Sequence, residues 1–144
     1  MLRSIFCVLM ASAFAWTAFA ADSGELEKLQ GKWETTRTSE EGEKVKQTIE
    51  LKKDKMVYKI MDAGGTTVFA ATADVKPQKA GAFQTFTISN IKAGRDEDSL
   101  EDTDGERAYV YMLGYQTLTI VSNIDQERER PPLLDVYKKV SSGK

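Results

Sequence analysis

Leu29-Gln30-Gly31-Lys32-Trp33-Glu34 is the stretch whose reading decides the fold. Upstream, residues 22–30 carry the marks of a short helix. Asp22 or Ser23 can cap it, Glu25 and Glu27 fall in the first turn where the helix dipole favours acids, and Gly31 ends it. Leu26 and Leu29 are three apart and share a face, which would cover one end of a domain. Downstream of Gly31 the apolar period drops from about 3.6 to about 2, the change from helix to strand. The stretch is therefore a junction, and Trp33 stands at the mouth of the first strand.

Working outward, strand signals recur to the end of the chain. Strand one covers 32–38, and 39–43 is a turn. Strand two, 44–52, alternates most clearly. Val45, Ile49 and Leu51 face one way with Gln47 as a polar exception, while Lys46, Thr48, Glu50 and Lys52 face the other. Such a strand has one wet and one packed face. Strand three, 55–62, sets Met56, Tyr58 and Ile60 against Lys59, and Gly64-Gly65 makes a tight turn because glycine accepts positive φ. Strand four, 66–75, carries Phe69, Ala71 and Ala73 on one face, and 76–81 reads as a loop. Strand five, 82–91, offers Phe86 and Ile88, and 93–106 is a long acidic connection. Strand six, 107–113, is apolar on both faces, so the pattern assigns it no inner side. Strand seven, 117–122, points Leu118 and Ile120 inward. A polar loop over 123–132 leads to strand eight, 133–140, with Leu134 and Val136 as its apolar positions.

Eight strands joined mostly by short turns predict an all-β, antiparallel up-and-down order. Closed into a barrel, eight strands leave an interior just wide enough for side chains or one small ligand. A flattened sandwich satisfies the same periodicity.

The N-terminus reads differently. Arg3 precedes an apolar run over 5–20 that ends in Ala18-Phe19-Ala20, the small-x-small pattern of a signal peptide. The run is shorter than the about 20 residues a membrane span needs. Residues 1–20 are thus expected to be a signal peptide and 21–144 the domain, secreted or periplasmic, with no membrane span after cleavage. An uncleaved anchor is the alternative, and a lipoprotein fits less well because Cys7 opens the apolar run instead of closing it. Cleavage removes Cys7, the sole cysteine, and Trp16, and the chain has no histidine. The remaining domain can bury roughly 65% of its unfolded surface, enough for one core without disulfides. Its mildly acidic balance argues against nucleic-acid binding, which relies on lysine and arginine.

Several short motifs fall in a shared order: Leu29-Gln30-Gly31-Lys32-Trp33, Asp54-Lys55-Met56, Lys76-Pro77, Arg130-Pro131 and Val136-Tyr137-Lys138-Lys139. Together they resemble a family of small secreted bacterial lipocalin-like domains, which implies a calycin-type barrel over most of the domain. In lipocalins proper the Gly-x-Trp tryptophan packs at the closed end under an arginine near the last strand. The resemblance implies that role for Trp33, with Lys138 or Lys139 standing where the family has arginine. A cation over an exposed indole contributes about 0.5–1 kcal/mol.

The inward residues Ile49, Tyr58, Ile60, Phe69, Phe86, Ile88 and Ile120 either line a ligand pocket or fill the barrel as core. The acidic run 96–106 invites a calcium reading. An EF-hand alignment, however, puts Leu100 and Tyr111 at ligand positions one and twelve, and neither supplies a carboxylate. No metal or cofactor is expected. Lys44, Lys46, Lys52, Lys53, Lys55 and Lys59 concentrate charge on the hairpin of strands two and three, as a solvated face or a docking patch. With neither histidine nor thiol after cleavage, triads and zinc sites cannot be built. The carboxylates fall mostly in turns or at outward positions. The expectation is an exported, non-catalytic domain that binds a small apolar ligand in its barrel. The alternative is a protein-interaction or structural module of the cell envelope with a filled core.

Overall fold

The computed structural model describes residues 21–124 and 130–141. The expected signal peptide and the middle of the 123–132 loop lie outside the described residues. Among the described residues a helix, α1 (Ala21–Leu29), precedes nine strands. These are β1 (Gly31–Thr38), β2 (Lys44–Lys52), β3 (Lys55–Met61), β4 (Thr67–Ala80), β5 (Phe83–Gly94), β6 (Glu101–Thr103), β7 (Arg107–Gly114), β8 (Thr117–Ser122) and β9 (Leu133–Lys139). β4 also pairs with β5, and the order β4-β3-β2-β1-β9-β8-β7-β5 closes into a ring of eight antiparallel strands. The sandwich alternative is therefore excluded. Among the described residues, no helix is long and apolar enough to cross a membrane.

The Leu29–Trp33 junction builds the closed end. Leu29 and Trp33 are almost fully buried, and the Trp33 indole N–H donates to the Leu29 carbonyl at 2.9 Å. The Gln30 side chain donates to the Lys53 carbonyl and accepts from the Lys53 N–H, tying α1 to the β2–β3 turn. Gly31 is required twice over. Its φ of +112° disfavours any side chain, and a Cβ there would sit 3.3 Å from Lys139 Cε. The missing side chain lets the lysine stem lie across the junction, with its ammonium 5.1 Å from the Trp33 ring centroid. Lys139 is thus the cation over the indole, whereas Lys138 is exposed and pairs in register with Glu34.

Three stretches depart from the expected elements. The loop expected over 76–81 is strand up to Ala80, and the turn falls at Gly81 with φ +61°. Its lysines and glutamine face outward and its proline suggests a break, yet Pro77 is buried opposite Phe86. The acidic connection contributes the end of β5 and the short β6, which pairs with β5 from Ile91 to Ala93. Leu134 and Val136 are 61% and 47% exposed, so β9 turns Asp135 and Tyr137 inward instead. Apolarity alone sets the wrong phase there, because two polar side chains find partners inside the barrel. On β7 the inner row is Tyr109, Tyr111 and Leu113, all packed in or against the core.

The weakest junction in the ring is β1 with β9, where only Trp33↔Lys139 and Glu34↔Lys138 form ladder pairs. One further backbone bond, from the Val140 N–H to the Lys32 carbonyl, extends it downward. Above the ladder the strands are held through side chains.

Trp33→Ala should destabilise the domain by about 3–5 kcal/mol, as large-to-small core truncations do. Chemical denaturation measures it, and an unshifted midpoint would refute the closed-end role. Gly94→Ala should release β6, since a Cβ there would collide with the Ser99 carbonyl. Faster amide exchange confined to residues 94–104 is the expected reading.

Candidate functional site

Burial along the inner face is graded. At the Trp33 end Ile49, Leu51, Met56, Ala73, Val75 and Leu118 are buried. Toward the other end the inward residues Arg37, Val45, Tyr58, Ile60, Phe69 and Tyr109 are only half-buried. The barrel therefore has a sealed bottom and an open mouth, bordered by the β1–β2, β3–β4 and β5–β7 connections.

The seven residues expected on the inner face divide between these zones. Ile49, Phe86, Ile88 and Ile120 are core. Tyr58, Ile60 and Phe69 lie together at the mouth, where Ile60 pairs with Phe69 across β3 and β4. The Tyr58 and Phe69 rings meet edge to face, with centroids 6.1 Å apart. Phe86 stacks on Tyr109 at 5.1 Å and tilts against Tyr111 at 5.7 Å, joining mouth to core by aromatic contact.

The mouth also holds polar residues that the sequence reading did not single out. Arg37 on β1 forms an ion pair with Asp135 on β9, and one level deeper the Tyr137 hydroxyl donates to the Gln47 amide oxygen at 3.2 Å. Asp135 is an inward exception to the expectation that the carboxylates fall mostly in turns or at outward positions. A signal was present: counting by twos from Trp33 puts Thr35 and Arg37 on its face, and counting from Lys139 puts Tyr137 and Asp135 on the same side. Burial and the negative charge of Asp135 hold the Tyr58 hydroxyl up at about 12, with Arg37 acting in the opposite sense. Chemically the mouth offers apolar and aromatic walls with one charge-compensated polar strip.

Two other expected features resolve differently. The acidic run folds back on the barrel, where Glu97 pairs with Lys59 and Asp102 with Lys92 at 3.4 Å. Among the described residues, no group of three or more His, Cys, Asp or Glu is placed to hold a metal ion. The lysines of the β2–β3 hairpin split, with Lys46, Lys55 and Lys59 in ion pairs and Lys52 and Lys53 exposed at the closed end. Outside the barrel, a groove of about 590 Å³ runs between Glu25 and Lys28 of α1 and the apolar Phe83, Met112 and Leu134.

The buried tyrosines predict alkaline instability. Tyr111, raised by burial and by Glu25, also sits at about 12, and burial pushes Tyr137 up as well. An unfolded tyrosine titrates near about 10. Between these values the folded chain keeps protons that the unfolded chain releases. Stability should therefore hold below about pH 10 and fall as pH rises to about 12. Denaturation midpoints across that range, with phenolate absorbance alongside, give the measurement. A constant midpoint would contradict the burial of these hydroxyls.

Comparison with known protein families, with curated proteins and with solved structures found no match to this chain.

Proposed function

We propose that this chain is an exported, non-catalytic lipocalin-like domain that takes a small molecule into the open end of its barrel. The ligand class is a compact apolar body with one hydrogen-bonding group. The apolar part would rest on Val45, Ile60 and Phe69, and the polar group would reach the Arg37–Asp135 pair or the Tyr58 hydroxyl. The observation that carries this reading is the graded inner wall, mostly buried at the Trp33 end and half-buried at the other. Ligand sites commonly combine such apolar walls with a few convergent polar groups. Export is supported by the apolar run ending in Ala18-Phe19-Ala20, and the lipocalin-like assignment by eight-strand closure around Gly31-Lys32-Trp33. A non-catalytic role is supported by the lack of histidine in the chain and by the engagement of the inward carboxylate Asp135 with Arg37.

A second reading has its own observation. The contacts of Phe86 with Tyr109 and Tyr111, and the Tyr137–Gln47 bond, occupy interior space as packing. They favour an interaction or structural module with a filled core.

A solvatochromic lipophilic probe separates the two. Saturable binding should weaken by about tenfold or more in Ile60→Trp, a change of at least about 1.4 kcal/mol. Val68→Trp, at an exposed position outside the barrel, should leave it unchanged. Binding that ignores both substitutions, or native mass spectra with no adduct and no probe uptake, would favour the filled core.

A further inference from the structure

The fold sorts charge by end. The β1–β2 and β3–β4 connections at the mouth carry Glu40, Glu41, Glu43 and Asp62, and the acidic run 96–106 lies at the same end. At the closed end, Lys52 and Lys53 come from the β2–β3 turn and Lys76 and Lys79 from the extension of β4 past β3. Lys32, Lys138 and Lys139 come from the β1–β9 junction. All seven are exposed, and among the described residues none is in an ion pair. The acids facing them are Glu25, Glu27, Glu34, Glu50, Asp54 and Asp74, and Glu34 is engaged by Lys46. Glu25 is engaged by Lys28 and Asp74 by Lys55. That leaves seven lysines against three acids on a chain whose net charge is −2.

The separation is long enough to matter. The 8 residues of β1 span about 26 Å at about 3.3 Å each, or roughly 20 Å along the axis once strand tilt is included. The screening length at physiological salt is about 8 Å. An anionic partner at the closed end therefore meets the lysines and is shielded from the acidic mouth.

A second observation lies at the same end. Tyr115, in the β7–β8 turn, is 92% exposed. Phe83, just past the Gly81 turn, is 65% exposed, and Met112 beside it in the outer groove is 67% exposed. Large apolar side chains are thus presented beside a lysine ring, on turns and strand ends.

We propose that the closed end docks on the surface of a bilayer containing anionic lipid. The lysine heads would meet the headgroup phosphates, and Tyr115, Phe83 and Met112 would enter the interfacial layer. The residue types favour this over an acidic protein. Lysine is a flexible point charge that needs no fixed partner geometry, whereas paired recognition of carboxylates favours the arginine fork. Tyrosine beside lysine suits an interface that is apolar on one side and wet on the other. The lysines also come from one turn and the ends of three other strands, which suits a broad surface better than a single peptide.

Co-sedimentation with vesicles of phosphatidylcholine alone, and of phosphatidylcholine mixed with phosphatidylglycerol, tests this. Each comparison uses the same chain length, so the N-terminal apolar run weighs equally in both arms. Binding should increase at least tenfold with the anionic lipid, since each lysine near such a surface adds about fivefold, and it should fall as salt rises. Lys52→Glu/Lys53→Glu/Lys138→Glu should abolish the increase while leaving Trp33 emission, and hence the fold, unchanged. Tyr115→Ser should weaken binding severalfold, and Lys44→Glu, at the opposite end, should not. Equal binding to both vesicle types would overturn the proposal, as would full binding by the triple variant. So would retention on immobilised polyglutamate that matches the vesicles and ignores Tyr115→Ser, which would mark a protein-docking face. Concentration-dependent self-association lost in the triple variant, with no vesicle binding, would assign the surface to a second copy and also overturn it.

Discussion

The barrel exists because its first and last strands meet, and that junction relies on side chains more than on backbone. Two ladder pairs join β1 to β9, against seven between β2 and β3. The deficit is made up from the inner face. Three successive inward positions of β9 each make one bridge: Lys139 over the Trp33 ring, Tyr137 past β1 to Gln47 on β2, and Asp135 to Arg37. These positions are two residues apart, the strand period, so the bridges stack from the sealed bottom to the mouth. They also grade in character, from an indole–ammonium contact through a neutral hydrogen bond to an ion pair.

This arrangement explains the polar interior. A buried polar group is costly unless it is paired, and among the described residues no buried side-chain nitrogen or oxygen lacks a partner. Gln47, an interruption in the pattern of β2, is the acceptor that lets Tyr137 turn inward. Arg37 and Asp135 sit where water can still reach them, at 29% and 14% side-chain exposure, so the barrel avoids the full penalty of burying an isolated ion pair.

Much of this was legible in the residues. The junction at Gly31 and the inward rows of β2, β3 and β8 follow from period and turn chemistry. The phase of β9 did not, because Leu134 and Val136 are the apolar residues there and face outward. That phase depends on partners across the seam, which no window along one strand contains. The extension of β4 through Pro77 was hidden for a related reason: proline marks a break unless the strand has a free edge there, and β3 ends opposite Asp74, leaving Pro77 paired with β5 alone. Closure itself is a property of the whole sheet, and alternation is the same in a sandwich.

The order of the ring also sets a schedule. The strand that completes it is the last of the described strands, β9 (Leu133–Lys139), and its partner β1 is the first of them. A chain emerging from its N-terminus can form the hairpins from β1 to β4 early, since their contacts are local. The tryptophan cannot receive its cation, nor the mouth its ion pair, until β9 is available. Contacts between such distant segments delay the final step of folding. The unfinished sheet thus stays an open ribbon until β9 joins it.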